Sequence, residues 1–266
     1  MTQNKLAYIS GSADASKATI VVGGIHDTYQ HFMAWEQDLG ASDTLVVGFD
    51  HDHRSSSMAE AGHELAQALR DLNEQGINDV TVIAHSMGGL VSKAALDELV
   101  ASGDAQEFKS IDFHALGTPW GGFAMASFPG AGFFGDMLGY PMTGEMAPGS
   151  DFMKGLSQAD WPENMSFNVY QGSADNVSLP SVLATHERYD ETTGKADLFV
   201  TIEGYNHDNY VNAGPDLLKA GWGTEVTSVE LARDSAGDRQ PDAAREYAAG
   251  AETGAPEERE EAIEME

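Results

Sequence analysis

Val80-Thr81-Val82-Ile83-Ala84-His85-Ser86-Met87-Gly88-Gly89-Leu90 is the stretch that decides how this chain is read. An apolar, β-branched run stops at a serine, and small residues and a helix-forming segment follow at once. A strand that turns this sharply into a helix strains its corner residue, throws that side chain off the sheet edge and tolerates only small neighbours. Ser86 is the corner and Gly88 the small neighbour. Ser86 then stands at the N-terminus of a helix starting near Met87, where unpaired amides and the helix dipole favour a developing negative charge. The pattern is Ala-x-Ser-x-Gly, with Ala84 where the commoner form carries glycine.

Outward from this corner, strands and helices alternate. Upstream, Ser57-Met58-Ala59-Glu60 is a capping box, and Met58, Ala61, Leu65, Leu69 and Leu72 recur at helical spacing until Gly76. Before it the pattern predicts strands over Leu6–Ser10, Ala18–Gly24 and Thr44–Phe49, with a helix from Thr28 to Leu39 stopped by Gly40. Downstream, Leu90, Val91, Ala94, Ala95 and Leu99 give a helix ending at Ser102-Gly103. Strands Ile111–Leu116, Ser166–Tyr170 and Leu198–Ile202 follow, with a last short helix over Leu217–Ala220 after Gly214-Pro215. This order predicts an α/β fold, a mostly parallel sheet with helices on both faces. Sites in such sheets gather at the carboxyl ends of the strands.

A serine hydroxyl is a weak nucleophile and needs a base within hydrogen-bond reach, and that base needs an orienting carboxylate. His207 suits the base, because it follows the last strand in the loop Gly204-Tyr205-Asn206-His207, and the chain order serine, acid, histidine is then kept. His186 lies too soon after the candidate acid, and His85 adjoins Ser86 but points the other way along a strand. Asp175, in Gly172-Ser173-Ala174-Asp175, comes directly after a strand, from which a short loop reaches the neighbouring strand's end. Asp208 is adjacent to His207 and poorly placed to hold its ring, and Glu203 has no comparable turn before it. His51 and His53 stand beside aspartates, but two ligands do not make a metal site, so they are read as a polar loop.

Ala84-His85-Ser86-Met87-Gly88-Gly89, Gly117-Thr118-Pro119, Gly172-x-x-Asp175 and the His207 loop together resemble the α/β-hydrolase lipases, in particular small bacterial lipases whose box begins with alanine. The resemblance covers roughly residues 17–222. It implies Ser86 as nucleophile, Asp175 as acid, His207 as base, and the amides of Ile25 and Met87 as the oxyanion hole. That family usually carries His-Gly before the first donor, whereas this chain has Gly23-Gly24, which makes His26 the alternative donor and a candidate substrate contact. The family's variable region, where a lid is commonly inserted, corresponds to residues 121–160. Here it is apolar and glycine-rich, so a cover over an acyl-binding cleft is expected, with Trp120, Phe123, Phe133 and Phe134 against substrate.

The expected activity is hydrolysis of carboxylic esters, as a lipase or esterase, through an acyl-enzyme and without a cofactor. A phospholipase, thioesterase or acyltransferase would use the same residues, and a binding protein that retains the fold is the alternative of another class. Against 14 Lys+Arg the chain has 43 Asp+Glu, a formal charge of -29. That field repels nucleic acid and anionic membranes, and suits a surface adapted to high salt. With Cys 0 there is no disulfide, thiol nucleophile or thiolate metal site. The expected partner is an acyl ester, met in solution or at a lipid interface, with no stable membrane insertion. Residues 1–10 lack a basic n-region and an apolar h-region, so a cytoplasmic protein, or one exported by a route other than the general secretory one, is expected. Residues 1–227 are expected to form the hydrolase domain, and 228–266 a solvated acidic tail, disordered or loosely helical.

Overall fold

The computed structural model describes residues 6–12, 14–25, 31–32, 39, 43–51, 57–123, 141–156, 160–178 and 186–211. The strands are β1 (Leu6–Ser10), β2 (Lys17–Val22), β3 (Thr44–Phe49), β4 (Asp79–His85), β5 (Ser110–Leu116), β6 (Met165–Gly172) and β7 (Leu198–Ile202). They form one seven-stranded sheet in the order β1-β3-β2-β4-β5-β6-β7. β1 is antiparallel to β3, and every other pairing is parallel. The apolar runs of β2, β4 and β5 follow from this, since a strand inside a parallel sheet is buried on both faces.

The helices are α1 (Met58–Glu74), α2 (Met87–Ser102), α3 (Pro141–Glu145), α4 (Asp151–Gly155) and α5 (His186–Thr193). α1 starts at the capping box the sequence predicts: the Glu60 amide donates to Ser57 Oγ at 3.0 Å and the Ser57 amide donates to Glu60 Oε2 at 2.9 Å. Its predicted stripe of Met58, Ala61, Leu65, Leu69 and Leu72 is buried, against the same sheet face that α2 covers. Period-2 alternation splits β4 between two cores: Val82 and Ala84 face α1 and α2, while Ile83 faces a second cluster with Val21, Leu116, Tyr170 and Tyr210.

α3 and α4 have no counterpart in the predicted helices; α4 is capped by Ser150, whose Oγ accepts from the Met153 amide at 3.1 Å. They are tied down at several points. The Phe123 amide donates to the Met146 carbonyl at 2.7 Å, and Glu145 Oε2 accepts from the amide of Met58, at the N-terminus of α1. The Leu156 carbonyl accepts from Lys93 Nζ at 2.7 Å. Lys93, 2% exposed in its side chain, also salt-bridges Asp97 at 2.7 Å and lies 5.0 Å from the ring centre of Trp161. Burial pushes the Lys93 ammonium down and the Asp97 carboxyl up, and each partner works against that shift in the other.

Much of the expected cover, residues 124–140 and 157–159, lies outside the described residues, and so do the helix predicted over Leu217–Ala220, most of that over Thr28–Leu39, and the tail 228–266. Among the described residues no helix is long and apolar enough to cross a membrane.

Candidate active site

Ser86 follows the last residue of β4 and precedes the first of α2, with φ 54 and ψ -127. It is the one non-glycine residue with positive φ among the described residues, a conformation that costs about 1–3 kcal/mol and persists only where its surroundings over-determine it. Two of those surroundings are visible. The Ser86 amide donates to the Leu116 carbonyl at 2.9 Å, which locks the corner to the end of β5. A Cβ on Gly88 would lie 2.4 Å from the Gly23 carbonyl oxygen and 2.6 Å from that of Val22, so the first turn of α2 sits directly on the end of β2. Only glycine allows that approach.

The candidate acid, Asp175, comes from the turn after β6. Asp175 is fully buried. Its Oδ1 accepts from the amides of Val177 at 2.9 Å and Ser178 at 3.1 Å; its Oδ2 accepts from the hydroxyls of Ser178 and Tyr210, the latter at 3.0 Å. His207 Nδ1 lies 3.1 Å from both oxygens. Burial works to raise the carboxyl pKa, but the His207 and Ser178 donors prevail and hold it below the usual carboxylate value. Gly117, at φ 56, makes room for this cluster: a Cβ there would be 2.4 Å from the Tyr210 ring and 2.9 Å from Asp175 Oδ2.

The candidate base, His207, lies in the loop after β7. A carboxylate only accepts, so His207 Nδ1 carries the proton facing Asp175, and Nε2 is left to accept from Ser86 Oγ at 2.8 Å. The loop is braced locally by the amides of Asp208 and Asn209 donating to Asn206 Oδ1, each at 3.1 Å. It is braced against the acid turn by the Gly204 amide on Ser173 Oγ at 2.9 Å and the Ala174 amide on the Tyr205 carbonyl at 3.0 Å. Three strand ends distant in sequence thus bring together the three residues that the sequence singled out.

Ile25 lies in the turn after β2, partly exposed, and Met87 is the buried first residue of α2. The Gly23 carbonyl in that turn faces His51 Nε2 at 3.2 Å, so His51 donates to it. Its role is to brace that turn, and His53, its imagined metal partner, lies outside the described residues. His26, Phe133 and Phe134 also lie outside them. Trp120 and Phe123 are 1% and 3% exposed and belong to the helix-side core, with Trp120 edge-on to Phe113 and Phe167 at 6.5 and 5.3 Å. The turn at Gly117 folds this segment back onto the sheet, where an indole buries more area than it would along a cleft.

Ser178, Tyr210, His51 and the contact of His85 with the base loop carry no sequence signal of their own. Tyr210, His51 and His85 act through hydrogen bonds to residues distant in sequence, whereas Ser178 reaches Asp175 from three residues away within the same turn. A cavity of about 490 Å³ lined by Lys93, Trp161, Met165, Phe167, Lys195 and Asp197 lies elsewhere, at the amino end of β6, whereas Ser86 stands at the carboxyl end of β4.

A mostly parallel sheet with a strained strand-to-helix corner, carrying serine, aspartate and histidine after β4, β6 and β7, is the α/β-hydrolase fold, and this chain has it. Residues 35–119 match a family model described as "Alpha/beta hydrolase of unknown function (DUF900)". No curated protein matches the sequence. Among solved structures, one from the thaumarchaeon Nitrososphaera gargenis, described with activity profiles of carboxylesterases, superposes with a TM-score of 0.55 at 13% identity, over 83% of this chain and 94% of that one. RedJ, a thioesterase from the prodiginine pathway of Streptomyces coelicolor, gives 0.51 at 19% identity over 80% and 90%. YbtT, a type II thioesterase from the yersiniabactin pathway, gives 0.52 at 13% identity over 81% and 96%. At such identities the likeness speaks for the fold.

Proposed function

We propose that the protein is a serine hydrolase that cleaves carboxylic esters through an acyl-enzyme. The observation that carries this reading is the 2.8 Å approach of Ser86 Oγ to His207 Nε2, with Asp175 on the opposite ring nitrogen. Ser86 Oγ attacks the acyl carbonyl carbon while its proton passes to His207 Nε2, and the imidazolium so formed is held by the Asp175 carboxylate. The carbonyl oxygen takes up negative charge facing the amides of Met87 and Ile25, the first at a helix N-terminus. Collapse of the tetrahedral species expels the alcohol, which takes the proton from His207. Water, deprotonated by the same nitrogen, then attacks the acyl-enzyme, releases the acid and restores Ser86.

The test is covalent labelling with a fluorophosphonate, followed by hydrolysis of a graded series of acyl esters. Stoichiometric modification of Ser86 is expected, with Ser86→Ala and His207→Ala each losing about 10⁴-fold or more in turnover and Asp175→Asn leaving a slow, folded enzyme. Full activity of Ser86→Ala on short esters would overturn the reading. Matched oxygen esters and thioesters of one acyl chain separate an esterase from a thioesterase, and added alcohols reveal acyl transfer. A rate that rises past the solubility limit of neutral esters would mark a lipase with a moving cover.

A further inference from the structure

His85 immediately precedes Ser86, and the alternation of β4 turns its side chain away from α2 to the opposite face. That direction brings it beneath the base. The ring, on a residue 4% exposed, places Nε2 3.0 Å from the backbone carbonyl of His207. A carbonyl only accepts, so His85 Nε2 carries a proton and donates it. The same ring lies 4.9 Å from that of His207 and 5.8 Å from that of Tyr210, centre to centre.

We propose that His85 is a positioning residue for the catalytic base, setting the place of His207 relative to Ser86 by gripping the base's own backbone carbonyl. The proposal rests on the serine-hydrolase reading of the site. Gly204, Tyr205 and Tyr210 tie the base loop to the acid turn after β6, which fixes the Nδ1 side of the ring but leaves its distance from β4 to a different brace. His85 supplies that brace. Because His85 and Ser86 are consecutive residues, the donor and the nucleophile move as one body, and the grip on the His207 carbonyl transmits the position of β4 to the Nε2 side. The loop itself is open to solvent at Glu203, Gly204, Asn206 and Asp208, so its own packing does little to fix it. A displacement of about 1 Å at a reacting pair is enough to cost on the order of 10²-fold in rate.

The experiment compares the parent with His85→Phe, which keeps a flat ring and loses the donor, and His85→Gln, whose amide nitrogen reaches close to the position of imidazole Nε2. Fluorophosphonate labelling rates, kcat and KM on a soluble ester, and melting temperature are measured for all three. His85→Phe is expected to lose about 10–100-fold in labelling rate and kcat with KM within about twofold, and His85→Gln to recover most of that loss. A folded Phe variant that labels at the parental rate overturns the proposal, as does a folded Gln variant no better than Phe. Failure of both variants to fold assigns His85 to packing and overturns it too. A parent that is not labelled at Ser86 refutes instead the serine-hydrolase reading.

Discussion

His114 is buried in β5, beside the nucleophile strand, with Nδ1 3.1 Å from the Tyr170 hydroxyl. Burial lowers its pKa from 6.5 to about 4 and raises that of Tyr170 to about 12, so both are neutral at pH 7. As pH falls below 6.5 the unfolded chain takes up this proton and the folded one does not, so stability is lost; below about 4 both states are protonated and the loss is complete. At ~1.4 kcal/mol per unit the whole effect is about 3 kcal/mol, of which about 2 kcal/mol is expressed between pH 7 and pH 5. The double variant His114→Phe/Tyr170→Phe removes both polar partners together, a change that is close to neutral when shape is kept. Urea unfolding of parent and variant at pH 7, 6 and 5 should give curves that start close together and separate, with the variant gaining about 2 kcal/mol on the parent by pH 5. Every other titrating group is common to both and cancels. Parallel loss of stability in the two proteins would refute the reasoning.

Other perturbations act nearer the chemistry. Ser178→Ala removes a hydroxyl donor from the Asp175 carboxylate, whose lowered pKa keeps it ionised. The acid limb of the kcat/KM profile should therefore move to higher pH, and an unmoved limb would show that Ser178 does not hold that charge. Gly88→Ala puts a methyl group into the Gly23 and Val22 carbonyls. The expected cost is about 1–3 kcal/mol in urea unfolding, with kcat falling more than KM rises as the Ile25 turn is displaced. Lys93→Met leaves Asp97 buried without its cation, and the expected loss is about 3 kcal/mol at pH 8. Asp97 then gains stability by protonating, so the deficit should shrink at pH 5; a deficit independent of pH would contradict the assignment.

Ser86, Asp175 and His207 were legible in the sequence because each follows a strand that one-dimensional pattern identifies, and because a strand-to-helix corner leaves a mark in residue size at Gly88. The strands themselves were legible for the same reason, a period and a boundary residue: Thr44–Phe49 and Leu198–Ile202 are observed with the bounds predicted, and the predicted Ala18–Gly24 ends at Val22, before Gly23 turns away. α3 was not, since it is five residues long and packs through tertiary contacts rather than a periodic stripe.

What pattern cannot carry is reach between strand ends. Whether His85 stands idle on the far face of β4 or grips the base loop depends on the strand order that places β4 among its neighbours. The same holds for Tyr210 on Asp175, His51 on the Gly23 carbonyl, and Trp120 in the core. By itself the sequence determined the corner, the order of serine, acid and histidine, and the alternation that makes a parallel sheet, because these are local geometry repeated along a chain. Only the tertiary structure decided the long-range donors, Tyr210 on Asp175 and His85 on the His207 carbonyl, because a single hydrogen bond between residues far apart in sequence imposes no period and no composition on either of them.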